Sequence, residues 1–446
     1  MGGADGRRIT RGQWLALAAA LLGWMFDGFE QGVLGVVGHP ALVDVLHVKE
    51  DARLAADPSA PAEVRKKAKE RVERPVGAWG SGLAASFLVG AALGGWLFGW
   101  LGDRLGRVRA MVFSVLTYAS FTGLCGLVQD PWQLAALRFL ASLGMGGEWS
   151  LGVALVMESW PHSLRPLLAG LIGAAANVGF LLTVPLVQLV DGRMPVAEGG
   201  WRWVLGLCAL PALLTFFLRV FVPESEKWLH AAQTSPRPAM TAIFTPQLRW
   251  RSLLAATLSG IPLIVTWGAV AQMVPIWVKS MSDDQAWVNA AQARSALGAI
   301  LGALTGALLA HYFGRRRTYF ALTIGSLLIC AYLFRWYFPA GTEPKPDAGL
   351  LWVIGLTGFF TASFYGWLPL YLPELFPTRV RATGQGFGYN FGRIIAAVGA
   401  LFMGYLINDV FRGDYARAGA ILSLIYLAGL VVIWLAPETR GRPLPE

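Results

Sequence analysis

Twelve apolar runs, each long enough to cross a bilayer, dominate this chain of 446 residues. A spanning helix needs about 20 mostly apolar residues. Windows of that kind fall at 13–37, 77–101, 108–128, 132–157, 166–190 and 202–222, then at 253–278, 295–313, 318–338, 350–372, 383–408 and 416–436. Backbone groups find no water in hydrocarbon, so only helices or closed barrels cross it, and runs of this length are helical. The chain therefore reads as an all-α membrane protein. Composition agrees, with 55% hydrophobic and 14% charged residues, where a soluble domain carries about 25% charged. Disorder and a disulfide scaffold are excluded, and Cys125, Cys208 and Cys330 sit inside apolar runs as small hydrophobes. Arg7, Arg8 and Arg11 precede the first run as in a signal peptide. That run carries Asp27 and Glu30 and no convincing small-residue cleavage site, so it reads as a retained span.

Residues 223–252, with Pro223, Pro236, Pro238 and Pro246, read as a central linker. Landmarks on either side of it repeat. Glu158, Pro161 and Arg165 recur as Glu374, Pro377 and Arg381, displaced by 216 residues. Pro223-Glu224-Ser225 recurs as Pro437-Glu438-Thr439, displaced by 214, and 99–109 recurs as 307–317, displaced by 208. Three landmarks in one order at nearly one offset mean two homologous halves. The predicted architecture is twelve transmembrane helices in two pseudo-symmetric six-helix bundles, 1–222 and 253–446, joined by 223–252. Between the first two spans, residues 38–76 form a charged insertion that predicts a short solvated helix capping the outer mouth. The glycine stripes Gly298, Gly302, Gly306 and Gly384, Gly388, Gly392 predict close helix packing.

Gly99, Leu101, Asp103, Arg104, Gly106 and Arg107 match the G-x-L-a-D-r-x-G-r-r loop of the major facilitator superfamily, which the whole chain resembles. The blocks PESEKWL (223–229) and PETRG (437–441) resemble its sugar-porter-like branch. RFLASLGMGGEW (138–149) and YNFGR (389–393) are more similar to sialate:proton and related metabolite:proton symporters. Span 7 lacks the paired glutamines of sugar porters and the histidine motif of fungal lactate permeases, and span 5 lacks the glycine-proline signature of drug antiporters. The resemblance implies a central cavity that opens alternately to each side. It further implies a gate on one face, with Asp103 meeting the end of a facing helix and Arg104, Arg107, Glu158, Arg165, Glu374 and Arg381 around it. His311 stands where the repeat would place a second acid.

Five ionisable residues fall inside predicted spans: Asp27, Glu30, Arg138, Glu148 and Arg393. Each costs at least a few kcal/mol in lipid unless it faces a cavity or a partner, so each is a functional candidate by default. The alternative is a set of ion pairs that only hold helices together. Asp27, Glu30 and Gln31 share one face of span 1. In the resembling symporters an acid of span 1 pairs with an arginine of span 4, which implies an Asp27–Arg138 pair as the proton-coupling site. Glu148 is either a second proton site or a partner for a basic residue. The offset of 216 sets Arg393 opposite Asn177 across the pseudo-two-fold axis, and a guanidinium fork suits a carboxylate. Arg393 with Asn177, Asn390, Gln31 and Gln188 is the expected substrate set. Trp24, Phe29, Trp149, Trp267, Tyr365 and Trp367 are candidates for the cavity wall. The five histidines lie at span ends or in loops, where they read as solvated.

The net charge of +10 has a topological reading. The termini and even-numbered loops hold 19 Lys or Arg against 8 Asp or Glu, whereas the opposite face holds 16 of each. By the positive-inside rule both termini are cytoplasmic in a cell membrane. A nucleic-acid partner is not expected, and no metal cluster, cofactor motif or catalytic constellation is visible. The predicted function is proton-coupled uptake of a small organic anion, sialate-like or another carboxylated metabolite, by a lipid-embedded monomer. A sugar or polyol carrier is the alternative; drug efflux and a non-transporting sensor rank lower.

Overall fold

A computed structural model describes the chain except residues 1–8, 211, 235, 283, 339–343, 406, 408, 409 and 412. Arg7, Arg8 and part of the eleventh predicted run thus lie outside the described residues. The described chain is helical, with no strand among the described residues. Helix α1 (Arg11–Val45) starts on a capping box, in which the Thr10 hydroxyl accepts from the Gln13 N–H and the Gln13 side chain accepts from the Thr10 N–H. Helices α2 (Lys49–Ala56), α3 (Ala62–Leu105), α4 (Arg107–Leu124), α5 (Pro131–Ser159), α6 (Arg165–Asp191), α7 (Gly200–Leu207) and α8 (Ala212–Phe221) complete the first half. The linker carries α9 (Glu226–Thr234). Helices α10 (Arg249–Leu263) and α11 (Val274–Met281) flank a π-helical stretch, Ile264–Met273. They are followed by α12 (Gln285–Phe313), α13 (Arg315–Ala331), α14 (Ala348–Ala362), α15 (Phe364–Leu375), α16 (Arg381–Asn390), α17 (Gly392–Tyr405), α18 (Tyr415–Ser423) and α19 (Tyr426–Val432).

Among the described residues, nine helical segments are long and apolar enough to cross a membrane, or ten if α1 with α2 counts as one. The pairs α7–α8 and α16–α17 are interrupted pieces that occupy the sixth and eleventh predicted runs. Two reversals carry the repeat. Gly106 between α3 and α4 has φ +114°, and Gly314 between α12 and α13 has φ +93°. A side chain there would force a left-handed backbone that only glycine adopts cheaply, which is why both copies of the loop keep that residue. The glycine stripes also pack as expected. Gly298, Gly302 and Gly306 lie against the backbone of Gly355, Phe359 and Ser363, while Gly388 meets Ala255 and Gly392 meets Gly260.

The insertion differs from its prediction. Helix α1 runs on to Val45 through Pro40, and α2 turns off it by 114°. Residues 62–76 are not a separate helix but the first turns of α3, continuous with the second span. The cause is an apolar stripe among the charges. Ala68, Val72 and Val76, spaced four residues apart, are buried, and Val72 and Val76 cluster with Val33, Val37, Ala41 and Leu42 of α1. The charged residues of the stretch occupy the outer faces.

Candidate functional site

Helices of both halves line a cavity of about 390 Å³. It runs from Trp24, Tyr389 and Arg393 at its deep end to His39, Leu42, Val76 and Gly80 beside the insertion. Gln31 of α1, Asn177 of α6 and Arg138 of α5 line it together with Arg393 of α17. The deep end is an aromatic block. Tyr389 stacks on Trp149 with centroids 3.8 Å apart, and Trp24 meets both rings edge-on. Of the aromatic candidates Trp24, Trp267 and Tyr365 line the cavity. Trp149 backs Tyr389, and Trp367 donates to the Arg315 carbonyl well away from it. Phe29 is not in the wall.

The buried charges are arranged differently from the expected pairing. Arg138 is bonded to Glu30, not to Asp27, and Glu30 also accepts from the Thr122 hydroxyl at 2.8 Å. Helix rise gives the reason. Glu30 lies about 28 Å along α1 from its start, and Arg138 about 31 Å along α5 from its end at the same face, whereas Asp27 lies about 24 Å up. Arg138 is therefore level with Glu30, whose extra methylene also lengthens its reach. Asp27 is fully buried, and neither of its oxygens has a hydrogen-bond partner among the described residues. The charged groups around it are Arg393, Glu30 and Arg138, and of the two arginines only Arg138 is bonded to an acid among the described residues. Arg393 makes no ion pair among the described residues, leaves Nη1 unpartnered and holds its guanidinium 5.8 Å from the Tyr389 ring. Glu148 faces α1 at Gly23, with both oxygens unpartnered.

Two expected substrate residues stand elsewhere. Asn390 donates to the carbonyls of Gly146 and Gly386 and so bridges the halves instead of lining the cavity. Gln188 is exposed near the end of α6, outside the cavity. His39 is exposed, as its position at a span end predicts, and it also lines the mouth and reaches Glu73 at 3.5 Å. Thr266 and Gln272, also in the wall, were not anticipated. Their signal was the polar punctuation of an otherwise apolar run.

At the face that carries the motif loops the halves are bonded together. Asp103 accepts from the N–H groups of Ala382 and Thr383 at the start of α16, at 3.1 and 2.8 Å. A carboxylate at a helix N-terminus is stabilised by free N–H donors and the helix dipole. Arg107 bonds Asp103, Glu158 and the Thr378 carbonyl, and Arg381 bonds Glu158 at 2.8 Å and the Pro445 carbonyl at 2.6 Å. Ser225 donates to Glu158 at 2.5 Å, and Glu224 accepts from the Arg107 and Val108 N–H groups. The second copy has Arg315 on Glu374, Thr439 donating to Glu374, and Glu438 accepting from the Arg315 and Arg316 N–H groups. Arg104 takes no part: it is exposed and lies over Trp100 at 5.3 Å. Arg165, the mate of Arg381, has no ion pair among the described residues, and its Nε is unpartnered. Burial pushes the Glu224 carboxyl up despite its N–H donors. At Glu438 burial also acts upward, but the N–H groups of Arg315, Arg316 and Arg440 outweigh it and hold the carboxyl below its usual range.

Two helical halves around a largely apolar cavity with a few convergent polar side chains, closed at one face by bonds between the halves, define a membrane transporter. The family model described as "Sugar (and other) transporter" matches residues 15–246 and 242–446, and the chain belongs to that family of the major facilitator superfamily. It is 30% identical over 360 residues to a probable 4-methylmuconolactone transporter of Cupriavidus pinatubonensis, covering 79% of this chain and 80% of that one. It is 23% identical over 438 residues to the sialic acid transporter NanX of Escherichia coli, covering 98% and 96%. Among solved structures, the proton:xylose symporter XylE superposes with a TM-score of 0.75 at 16% identity, covering 97% of this chain and 98% of that one. The protein is thus a multi-pass membrane transporter and not an enzyme.

Proposed function

We propose that this transporter takes up a small organic anion together with protons by alternating access, using halves 1–222 and 253–446 joined by 223–252. The observation that carries the reading is Arg393, buried in the cavity wall with a free Nη1 and no carboxylate bonded to it. A buried guanidinium without a counter-ion is costly, and an entering carboxylate relieves that cost while gaining a charge-assisted fork. Asn177 and Gln31 supply neutral hydrogen bonds beside it. A relative that transports sialic acid, an acidic sugar, fits this chemistry.

Asp27 is the coupling acid in this reading. With Arg138 committed to Glu30, the cation that sets the charge of Asp27 is Arg393. A substrate carboxylate on Arg393 withdraws that cation, so Asp27 binds a proton when substrate binds. Asp103, Arg107, Glu158 and Arg381 hold the motif face shut in the meantime, and the surplus of basic loop residues sets that face in the cytoplasm.

The test is uptake into proteoliposomes of a panel of carboxylates and neutral sugars, with and without an imposed pH gradient. Wild type is expected to concentrate a carboxylate only with the gradient. Arg393→Ala should lower anion uptake about tenfold to a hundredfold, the worth of one charge-assisted bond. Asp27→Asn should express normally yet fail to accumulate substrate against its gradient. Equal losses for neutral sugars in Arg393→Ala would remove the anion, and unimpaired accumulation by Asp27→Asn would remove the coupling site.

A further inference from the structure

The three buried acids are spaced along α1 in a definite order, and among the described residues only Glu30 has a cation bonded to it. Helix α1 rises from the motif face to the insertion. Glu148 meets it at Gly23, one turn (about 6 Å) before Asp27, and Glu30 follows Asp27 by three residues. Glu148 therefore lies on the motif-face side of Asp27, below the deep end of the cavity, whose wall does not include it. The absence of a side chain at Gly23 is what admits the carboxyl, because a Cβ there would collide with Glu148 Oε1.

We propose that Glu148 is a second proton-carrying group, which receives the proton from Asp27 and passes it toward the motif face. This rests on the proton-coupled reading above. Both carboxyl oxygens of Glu148 are buried without a partner, and the charged group that bears on it is another acid, Asp27. From α4 it is faced by the Tyr118 hydroxyl, itself buried and unpartnered. Arg138 is ten residues earlier on α5, toward the insertion, and bonded to Glu30, and Arg393 lines the cavity. An ionised carboxylate with neither cation nor donor bonded to it is not sustained in such a place, so Glu148 holds a proton while the motif face is shut. When that face opens, water reaches Glu148 first and its proton leaves. The proton on Asp27 then moves to the Glu148 carboxylate, and Asp27 is left ionised beside Arg393. One proton enters at Asp27 and one leaves from Glu148 in each cycle.

Two measurements test this. Infrared spectra of the purified protein in lipid at neutral pH should lose a carboxylic-acid C=O band in Glu148→Gln and keep it in Glu30→Gln. In proteoliposomes with a pH-sensitive dye trapped inside, Glu148→Gln should lose gradient-driven accumulation and the accompanying proton signal by at least about tenfold. It should retain exchange of labelled for unlabelled substrate within about twofold, since exchange needs no net proton release, and this exchange also shows that the variant is folded. Glu148→Asp should recover part of the accumulation. An unchanged infrared band, or wild-type proton-to-substrate ratio in Glu148→Gln, overturns the relay whether or not the transporter is a symporter. Loss of exchange along with accumulation in both Glu148 variants overturns it too, by making the residue structural. If the wild type moves no proton with its substrate, the coupled reading fails and the relay with it, even with the infrared band present.

Discussion

On the motif face two copies of one brace stand side by side, one in each half, and they differ in what they reach. In both an arginine just after a positive-φ glycine bonds the glutamate of the E-x-x-P-x-x-x-R block, and a hydroxyl from the P-E-S/T block bonds the same glutamate. In both a second glutamate accepts the N–H groups that open a helix. The brace around Arg315 and Glu374 stays within its own half. The brace around Arg107 and Glu158 also crosses to the other, through Asp103 onto α16, through Arg107 onto the Thr378 carbonyl and through Arg381 onto Glu158. The equivalents of the three crossing residues Asp103, Arg107 and Arg381 are His311, Arg315 and Arg165, and none of them makes a bond to the other half among the described residues. The shared part of the motif is thus a fold element, and the gate is what one copy adds to it.

The sharpest way to separate the two roles is to neutralise each glutamate. Glu158→Gln and Glu374→Gln each leave a fully buried guanidinium short of its counter-ion, and each should cost about 3–5 kcal/mol of stability. Both should therefore melt earlier in detergent by several degrees. Only Glu158→Gln should also open the motif face, because only Glu158 takes a bond from the other half. Ser150 is buried where α5 meets Gly386, so a Ser150→Cys substitution reports that opening by thiol labelling. The native cysteines are buried and give little background. Equal labelling in the two glutamine variants would mean that the copies share the gate.

A smaller effect should follow from Asp103→Asn, which keeps the shape of the side chain and removes its charge. It weakens three bonds from the start of α16, two from N–H groups and one from the Thr383 hydroxyl, and the pair with Arg107. A loss of about 1.5–3 kcal/mol on the shut state shifts the balance of open and shut by about tenfold to a hundredfold. The labelling rate of Ser150→Cys should rise by that factor while the melting temperature moves less than in Glu158→Gln. A matching rise on substituting His311 would break the asymmetry.

How much of this was legible beforehand can be judged residue by residue. The twelve runs, the repeat and the opposed Arg393 and Asn177 follow from hydropathy and one offset, so they were readable. The brace was half readable: Arg107, Glu158 and Glu374 stood out, but Arg315, Glu224, Glu438, Ser225 and Thr439 were noted only as repeat landmarks. The Glu30–Arg138 pair is not legible from residue type, because Asp27 and Glu30 share one face of α1 and the helix ends decide which of them is level with Arg138. Asn390 and Gln188 were misplaced for a different reason. Polarity inside a span tells that a residue avoids lipid, and it does not distinguish a cavity from a backbone carbonyl on the next helix or a solvated end.

The smallest effect separates the copies by pH. Glu224 and Glu438 accept equivalent backbone N–H groups, yet burial raises the first carboxyl while donors hold the second down. The signs are opposite. A raised folded-state value means that Glu224 costs stability when ionised, so its contribution improves as pH falls toward the ordinary carboxyl range. A depressed value means that Glu438 stabilises above the ordinary range and that this is lost as pH falls through its lowered value. Glu438 is only partly buried, so solvent screening keeps its share small. Melting curves across acid pH should show Glu438→Gln losing about 2 °C or less at neutral pH and converging on wild type in acid. Glu224→Gln should instead show its least disadvantage, or a gain, at neutral pH. If the two variants traced the same curve, the half that crosses the interface and the half that does not would be electrostatically alike at their outer ends, and the asymmetry of the gate would rest on Asp103, Arg107 and Arg381.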